Sequence, residues 1–253
     1  MLAPSTGRVP RFHLDAPLGA GSTCELGEAA AHHAIHVLRL HPGDAVTLFN
    51  GRGGEFGARI ASIGKKGLSL EVLEHRAIER ESPLRMVLVQ GVSSGERMEF
   101  TIRKAVELGV AEIQPLLALA SVARPKGERA LSRQAHWQKI AIAACEQCGR
   151  NTVPKIQALL PIGRYRPSSG ETGKDTTKIL LSPRAERSLS QAAAAVRRDV
   201  VLAAGPEAGF DGAEEAGFAA AGFVAAKLGP RILRTETAAL AALAALSALR
   251  GDF

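Results

Sequence analysis

Residues 84–117 read LRMVLVQGVSSGERMEFTIRKAVELGVAEIQPLL, and three local patterns in them decide the fold class. Residues 84–89 form a predominantly apolar run, the pattern of a strand covered on both faces. Ser93 stands three residues before Glu96, the spacing of a capping box. Met98, Ile102, Ala105 and Val106 then recur at helical spacing until Gly109 stops the run. Residues 113–117 are apolar again. Strand, amphipathic helix and strand in so short a stretch predict a parallel α/β sheet.

Working outward, Ser132 is placed to cap a helix that carries Trp137, Ile140, Ala141, Ala144 and Cys148 on one stripe. Residues 179–181, 200–203 and 223–226 read as buried strands, residues 163–177 as a loop, and residues 236–249 as a closing helix. Upstream the pattern is mostly β. Residues 45–49, 56–63 and 68–73 read as strands, with turns at Gly51-Arg52-Gly53-Gly54 and Lys65-Lys66-Gly67. A helix over residues 28–38 precedes them, and the short strands suggest a small barrel. Residues 75–83 are charged and end at Pro83, the composition of a linker. The expected domains are therefore 10–76 and 83–253, with residues 1–9 as a loose extension.

Hydrophobic residues make up 46% of the 253, enough for a sizeable core, but aromatics only 4%, so Ala, Leu, Val and Ile must fill it. Net charge is +7 and is concentrated: residues 81–170 hold thirteen Lys/Arg against seven Asp/Glu, which favours a polyanionic partner. Three cysteines make no disulfide framework in a chain this long. The N-terminus lacks a signal-peptide pattern, and the apolar run of residues 237–249 is too short to span a bilayer. A cytoplasmic location with no membrane association is expected.

His32, His33 and His36 lack a third ligand and the glutamate of a zinc-protease helix, so no metal is expected. Cys145-x-x-Cys148 falls inside a helical pattern and reads as core packing. Neither a dinucleotide fingerprint nor a G-x-x-x-x-G-K-[ST] loop occurs, which disfavours nicotinamide enzymes and nucleotide hydrolases. Two segments do carry chemistry. Gly205-Pro206-Glu207-Ala208-Gly209 follows a buried strand, where open α/β sheets bind ligands. Leu228-Gly229-Pro230-Arg231-Ile232-Leu233-Arg234-Thr235-Glu236-Thr237-Ala238 follows another, with Thr235 placed to cap the next helix. Arg231, Arg234 and Glu236 flank that helix N-terminus, whose N–H groups can receive an anion.

At these segments, and at Gly95 through Val110 and Trp137 through Arg150, the chain resembles the RsmE-type 16S rRNA uridine-N3 methyltransferases of the SPOUT superfamily. The likeness runs from about Pro10 to the C-terminus. It implies an N-terminal PUA-like RNA-binding β-barrel and a C-terminal α/β methyltransferase domain with a trefoil knot. It also implies S-adenosylmethionine as cofactor, a homodimer, and as target N3 of one uridine of 16S rRNA in the small ribosomal subunit, uridine 1498. Leu181, Gly205, Pro206, Glu207, Gly209, Leu228, Gly229, Ile232, Leu233, Thr237 and Ala238 are then expected at the cofactor. Arg231 and Arg234 are expected to stabilise an anion or place RNA, and Glu236 to orient substrate or, less directly, accept a proton. Arg11, Arg39, Arg124, Lys126 and Arg150 are candidate phosphate contacts.

The sequence departs from that family twice: Ala208 stands where the loop carries glycine, and Leu119-Ala120 where a Glu-Arg pair is usual. Both leave room for a non-catalytic RNA-binding protein on the same fold. A SPOUT enzyme acting on another RNA is the further alternative.

Overall fold

The computed structural model describes residues 9–64, 67–122, 124–167, 175–250 and 252–253. Most of the N-terminal extension, the turn residues Lys65 and Lys66, and residues 168–174 of the expected loop lie outside the described residues. The chain divides into two compact units: residues up to Glu81 with Cys145–Val153, and Ser82–Ala144 with Pro154–Phe253.

The first unit holds β1 (Arg11–His13), β2 (Thr23–Leu26), α1 (Glu28–His32), β3 (Ala45–Phe49), β4 (Glu55–Gly64) and β5 (Gly67–Arg76). The sheet order is β1-β3-β4-β5-β2. Alternation along the long strands turns Val46, Leu48, Ala58, Ile60, Leu70 and Val72 to one core, which Phe12 and Leu26 complete. Among the described residues β1 and β2 remain edges, so the expected barrel is an open sheet. Those edge strands are only three and four residues long, and Ala31 and Ala34 pack into the core beside them. The helix expected over residues 28–38 ends sooner as α-helix. After α1 the chain makes a π-turn, His33–Val37, and Arg39 then reverses it with φ 55°. Gly51, Gly53 and Gly54 sit at φ 80°, 94° and 68°, the left-handed backbone their turn demands.

A polar network ties residues 145–153 to this unit. The Arg11 guanidinium, 6% exposed, donates to Glu55 at 2.6 Å, to Asn151 Oδ1 at 2.6 Å and to the Arg150 carbonyl at 3.2 Å. Arg80 donates to the same Glu55 at 3.0 Å. Burial pushes the Glu55 carboxyl up, but its two arginines outweigh that and hold it below the usual range. Arg150 pairs with Glu81 and is itself buried, and Glu146 accepts the His13 N–H at 2.9 Å. Arg11 and Arg150 are thus corrected from phosphate contacts to structural ions, because both side chains are buried and paired with carboxylates inside the protein.

The second unit holds β6 (Arg85–Gly91), α2 (Gly95–Glu107), β7 (Glu112–Leu117), α3 (Glu128–Cys148, whose last turn belongs to the first unit), β8 (Lys155–Ile156) and β9 (Leu160–Pro161). It continues with β10 (Thr176–Leu181), α4 (Leu189–Ala193), β11 (Asp199–Ala204), α5 (Gly212–Ala220), β12 (Val224–Ala226) and α6 (Thr235–Arg250). The sheet is parallel, in the order β12-β10-β11-β6-β7-β8, with β9 also on β7. Val87, Val89, Leu180, Val201 and Ala203 meet Phe210, Phe218 and Phe223 on one face. Met86, in register with Val200, turns to the other, where its sulfur meets Ser247 of α6. Burial on both faces explains the unbroken apolar runs, each such side chain contributing about 1.5–3 kcal/mol.

Met98, Ile102, Ala105 and Val106 are buried as expected, and α2 ends at Gly109 with φ 82°. The helix starts differently. Ser94, not Ser93, occupies the cap position and makes no side-chain cap, while the Ser93 hydroxyl is buried without a partner among the described residues. The start is satisfied from a distance: the Glu207 carboxylate accepts the Ser94 N–H. Ser132 likewise lies inside α3 rather than at its start. The short helices α4 and α5 were hidden by Ala-rich and Gly-rich composition, although both open on capping boxes, Ser188 with Gln191 and Asp211 with Glu214.

Candidate active site

A pocket of about 160 Å³ opens at the C-terminal ends of β10, β11 and β12. It is built from the segments that leave these strands and from the first residues of α6. Leu181, Gly205, Glu207, Gly209, Leu228, Gly229, Ile232, Leu233 and Ala238 line it, with Arg231 on its wall. Pro206 and Thr237 do not. Pro206 is buried, packed so closely on Gly91 that a β-carbon there would lie 2.5 Å from Pro206 Cδ, and Thr237 is exposed. Ser182, Pro183 and Lys227 also line the pocket without a motif of their own in the sequence, and so does Thr235, which the sequence marks as a helix cap and not as a pocket residue. Their positions directly after β10 and β12, and at the head of α6, were the available signal.

The 205–209 loop closes tightly on itself. Gly209 N–H donates to the Pro206 carbonyl at 2.9 Å, and a β-carbon at Gly205 would sit 2.8 Å from Gly209 Cα. The left-handed residue is Gly209, at φ 76°. Ala208 keeps ordinary backbone geometry and is exposed, so its methyl group strains nothing. Glu207 lines the pocket, and its carboxylate is held at the start of α2. It accepts Ser94 N–H at 2.8 Å and faces Arg97 at 3.3 Å. Burial raises this carboxyl, but those donors outweigh it and the group stays below its ordinary range.

Thr235 does not cap α6. Its hydroxyl donates to the Gly205 carbonyl at 2.5 Å and accepts from Gln90 Nε2 at 3.1 Å. Arg231 and Arg234 are both exposed, and neither guanidinium has a hydrogen bond or ion pair among the described residues. Glu236, in the first turn of α6, has one carboxylate oxygen enclosed without a hydrogen-bond partner among the described residues. The helix start thus carries two uncommitted cations and one uncommitted acceptor beside the pocket.

Of the remaining basic candidates, Arg39 and Lys126 are exposed and unpaired among the described residues. Arg124 instead closes the turn after β7, donating to the carbonyls of Ala118 at 3.1 Å, Ser121 at 3.4 Å and Leu119. Arg129 and Arg133, further along the same basic stretch, line an open groove with it. Leu119 is 68% exposed, and its N–H donates to Glu214 at 2.6 Å, so α5 holds this turn in the absence of a Glu-Arg pair.

The His32 and His36 rings lie 4.5 Å apart at a tilt of 43°, and no group of three or more metal-binding side chains occurs among the described residues. The buried Cys145 thiol contacts the Thr152 carbonyl at 3.7 Å, and burial pushes it up to about 12. No helix of the described residues is long and apolar enough to cross a membrane.

The chain is similar to known proteins over almost its whole length. An RNA methyltransferase domain family matches residues 80–247, and an RNA methyltransferase PUA domain family matches residues 26–73. Ribosomal RNA small subunit methyltransferase E of Buchnera aphidicola is 35% identical, covering 97% of this chain and 98% of that protein. The crystal structure of the enzyme of the same name from Neisseria gonorrhoeae, bound to S-adenosylmethionine, is 39% identical and superposes with a TM-score of 0.87, covering 97% and 100%. A putative methyltransferase from Legionella pneumophila, also in complex with S-adenosylmethionine, is 36% identical with a TM-score of 0.89, covering 98% and 100%. With the family model covering most of the chain and relatives above 30% identity matched end to end, this chain belongs to the ribosomal RNA small subunit methyltransferase E family.

Proposed function

We propose that the protein transfers a methyl group from S-adenosylmethionine to N3 of one uridine, uridine 1498, in 16S rRNA of the small ribosomal subunit. The observation that carries this reading is the pocket at three strand ends with Arg231, Arg234 and Glu236 uncommitted beside it. Its walls suit such a cofactor. The apolar side chains of Leu181, Leu228, Ile232 and Leu233 offer a slot for a flat base, and Gly205, Gly209 and Gly229 admit close approach to backbone. When bound, S-adenosylmethionine supplies an electrophilic methyl on a sulfonium.

Uridine N3 lies on the pairing edge and carries a proton, so the base must be unpaired before it reacts. Loss of the N3 proton leaves negative charge shared with the uracil oxygens, and as the N3–methyl bond formed the methyl–sulfur bond would break, with neutral S-adenosylhomocysteine as leaving group. Arg234 and Arg231 stabilise that charge, and Glu236 orients the base or accepts the proton on its free oxygen. Exposed Arg39 and Lys126 hold phosphates without reading sequence.

The same reading makes residues 10–76 the RNA-binding module and residues 83–253 the methyltransferase domain, in a cytoplasmic homodimer. It also includes a trefoil knot in the C-terminal part.

The test is transfer of labelled methyl to small subunits lacking the modification, followed by nucleoside mass spectrometry. N3-methyluridine at one position is expected. No incorporation, with cofactor binding shown separately, would leave a non-catalytic RNA-binding protein, and label in another nucleoside would move the target.

A further inference from the structure

We propose that Gln90 is a positioning residue for the ligand pocket, a buried carboxamide that fixes the Gly205–Pro206 peptide before any ligand arrives. The inference rests on the methyltransferase reading for the identity of the ligand, and on geometry alone for the latch itself.

Gln90 is fully buried near the C-terminal end of β6. It forms the last backbone pair with β11, opposite Ala204, and beyond it the ladder stops although Gly91 still lies against Gly205 and Pro206. There the side chain continues the ladder. The two protons of its Nε2 are shared among four acceptors, Gly91 O at 3.0 Å, Thr235 Oγ1 at 3.1 Å, Gly205 O at 3.3 Å and Ala204 O at 3.5 Å. Thr235 has one hydroxyl proton, and it is given to Gly205 O at 2.5 Å. The hydroxyl therefore faces Gln90 as an acceptor, and the surrounding carbonyls need a donor as well. Every neighbour of this end of the side chain is an acceptor, so the amide nitrogen with its two protons, and not the oxygen, faces them, which fixes the orientation of the carboxamide.

The peptide between Gly205 and Pro206 particularly needs such a hold. Proline has no N–H, so the Gly205 carbonyl is the one polar handle on that peptide. Glycine at 205 leaves the backbone otherwise free to turn. Gln90 and Thr235 both reach that oxygen, and Gly91 packs on the Pro206 ring. Gly205 and Thr235 both line the pocket, so the grip sets the shape of its wall.

The position also carries a cost that a packing residue avoids. Gln90 Oε1 is buried with no hydrogen-bond partner among the described residues. Methionine would fill nearly the same volume with no orphaned oxygen. An amide that is a poor choice for stability and a good one for holding a carbonyl is a residue that serves the site.

The experiment compares Gln90→Met, Thr235→Val and Thr235→Ser with the parent protein. Affinity for S-adenosylmethionine and for unreactive S-adenosylhomocysteine is measured by calorimetry, and thermal midpoint and amide exchange are measured on the ligand-free protein. Gln90→Met is expected to keep or raise the thermal midpoint, to speed exchange at Gly209 and Phe210, and to weaken both ligands about tenfold, the loss of roughly one neutral hydrogen bond. Thr235→Val should do the same without adding to Gln90→Met, and Thr235→Ser should restore affinity. Parent-like affinity and exchange in Gln90→Met would overturn the proposal. So would a fall in affinity that merely tracks a fall in thermal midpoint. If the parent itself binds neither ligand, the methyltransferase reading fails, and faster loop exchange in Gln90→Met still establishes the latch.

Discussion

The carboxylate of Glu207 accepts the backbone N–H of Ser94 at 2.8 Å, so a residue of the pocket loop satisfies the start of a helix 113 positions earlier in the chain. Arg97, one turn further along that helix, faces the same carboxylate at 3.3 Å. The pocket loop and α2 are thereby coupled through one ionised group.

That coupling predicts a pH-dependent stability difference. The Glu207 carboxyl is held below its ordinary range, so its contribution is fully present above the unfolded pKa and is lost as pH falls through the depressed folded value. Glu207→Gln is expected to cost about 1–2 kcal/mol at neutral pH, read by urea denaturation. The gap to the parent should close on acidification. A gap that stays constant into the acid range would show that ionisation is not its source.

The loop glycines are not equivalent. Gly209→Ala is expected to cost about 1–2 kcal/mol, because φ 76° is left-handed backbone. Ala208→Gly, which introduces the glycine expected from the resemblance, should lower stability by about 0.4–1 kcal/mol through unfolded-chain entropy, with no gain in cofactor affinity. Thermal midpoints and calorimetric titration of both variants check this. Tighter cofactor binding in Ala208→Gly would mean the methyl group does crowd the loop.

Two arginines once grouped as phosphate contacts should behave oppositely. Arg11→Ala leaves Glu55 and Asn151 short of a donor inside the first unit and is expected to cost about 3 kcal/mol. Arg39→Ala should change stability by less than about 0.5 kcal/mol while lowering the salt dependence of RNA binding by about one counterion. Denaturation curves and RNA titrations across salt concentration separate the two.

Arg234→Ala is expected to reduce methyl transfer by roughly 100- to 1,000-fold, the loss typical of an anion-stabilising donor, while S-adenosylmethionine affinity stays within a few-fold. Single-turnover transfer and calorimetry are the measurements. Loss of cofactor affinity in step with the rate would assign Arg234 to binding instead.

Local pattern revealed much of this molecule. The strand over residues 45–49 matches β3, the buried face of α2 holds the four residues its spacing named, and the two segments read as chemical, 205–209 and 228–238, meet in one pocket. What periodicity missed was satisfied at long range. Ser93 has the spacing of a cap, yet Glu207 supplies what the helix start needs, and Thr235 has the position of a cap, yet its hydroxyl turns to Gly205. Arg11 and Arg150 look like surface charge in a basic chain, and only a partner 44 residues away for the first and 69 for the second shows them to be internal.

By itself, then, the order of residues determined which segments are strands and helices, that the larger sheet is parallel, and which turns carry glycine and charge. These follow from side-chain period and backbone sterics, properties of neighbours in the chain. Tertiary structure alone decided that residues 145–153 complete the first unit, that Gln90 reaches the Gly205 carbonyl, and that Glu236 keeps an oxygen free. A hydrogen-bond partner is chosen by distance in space, and residues far apart in sequence acquire that distance only when the sheet has formed.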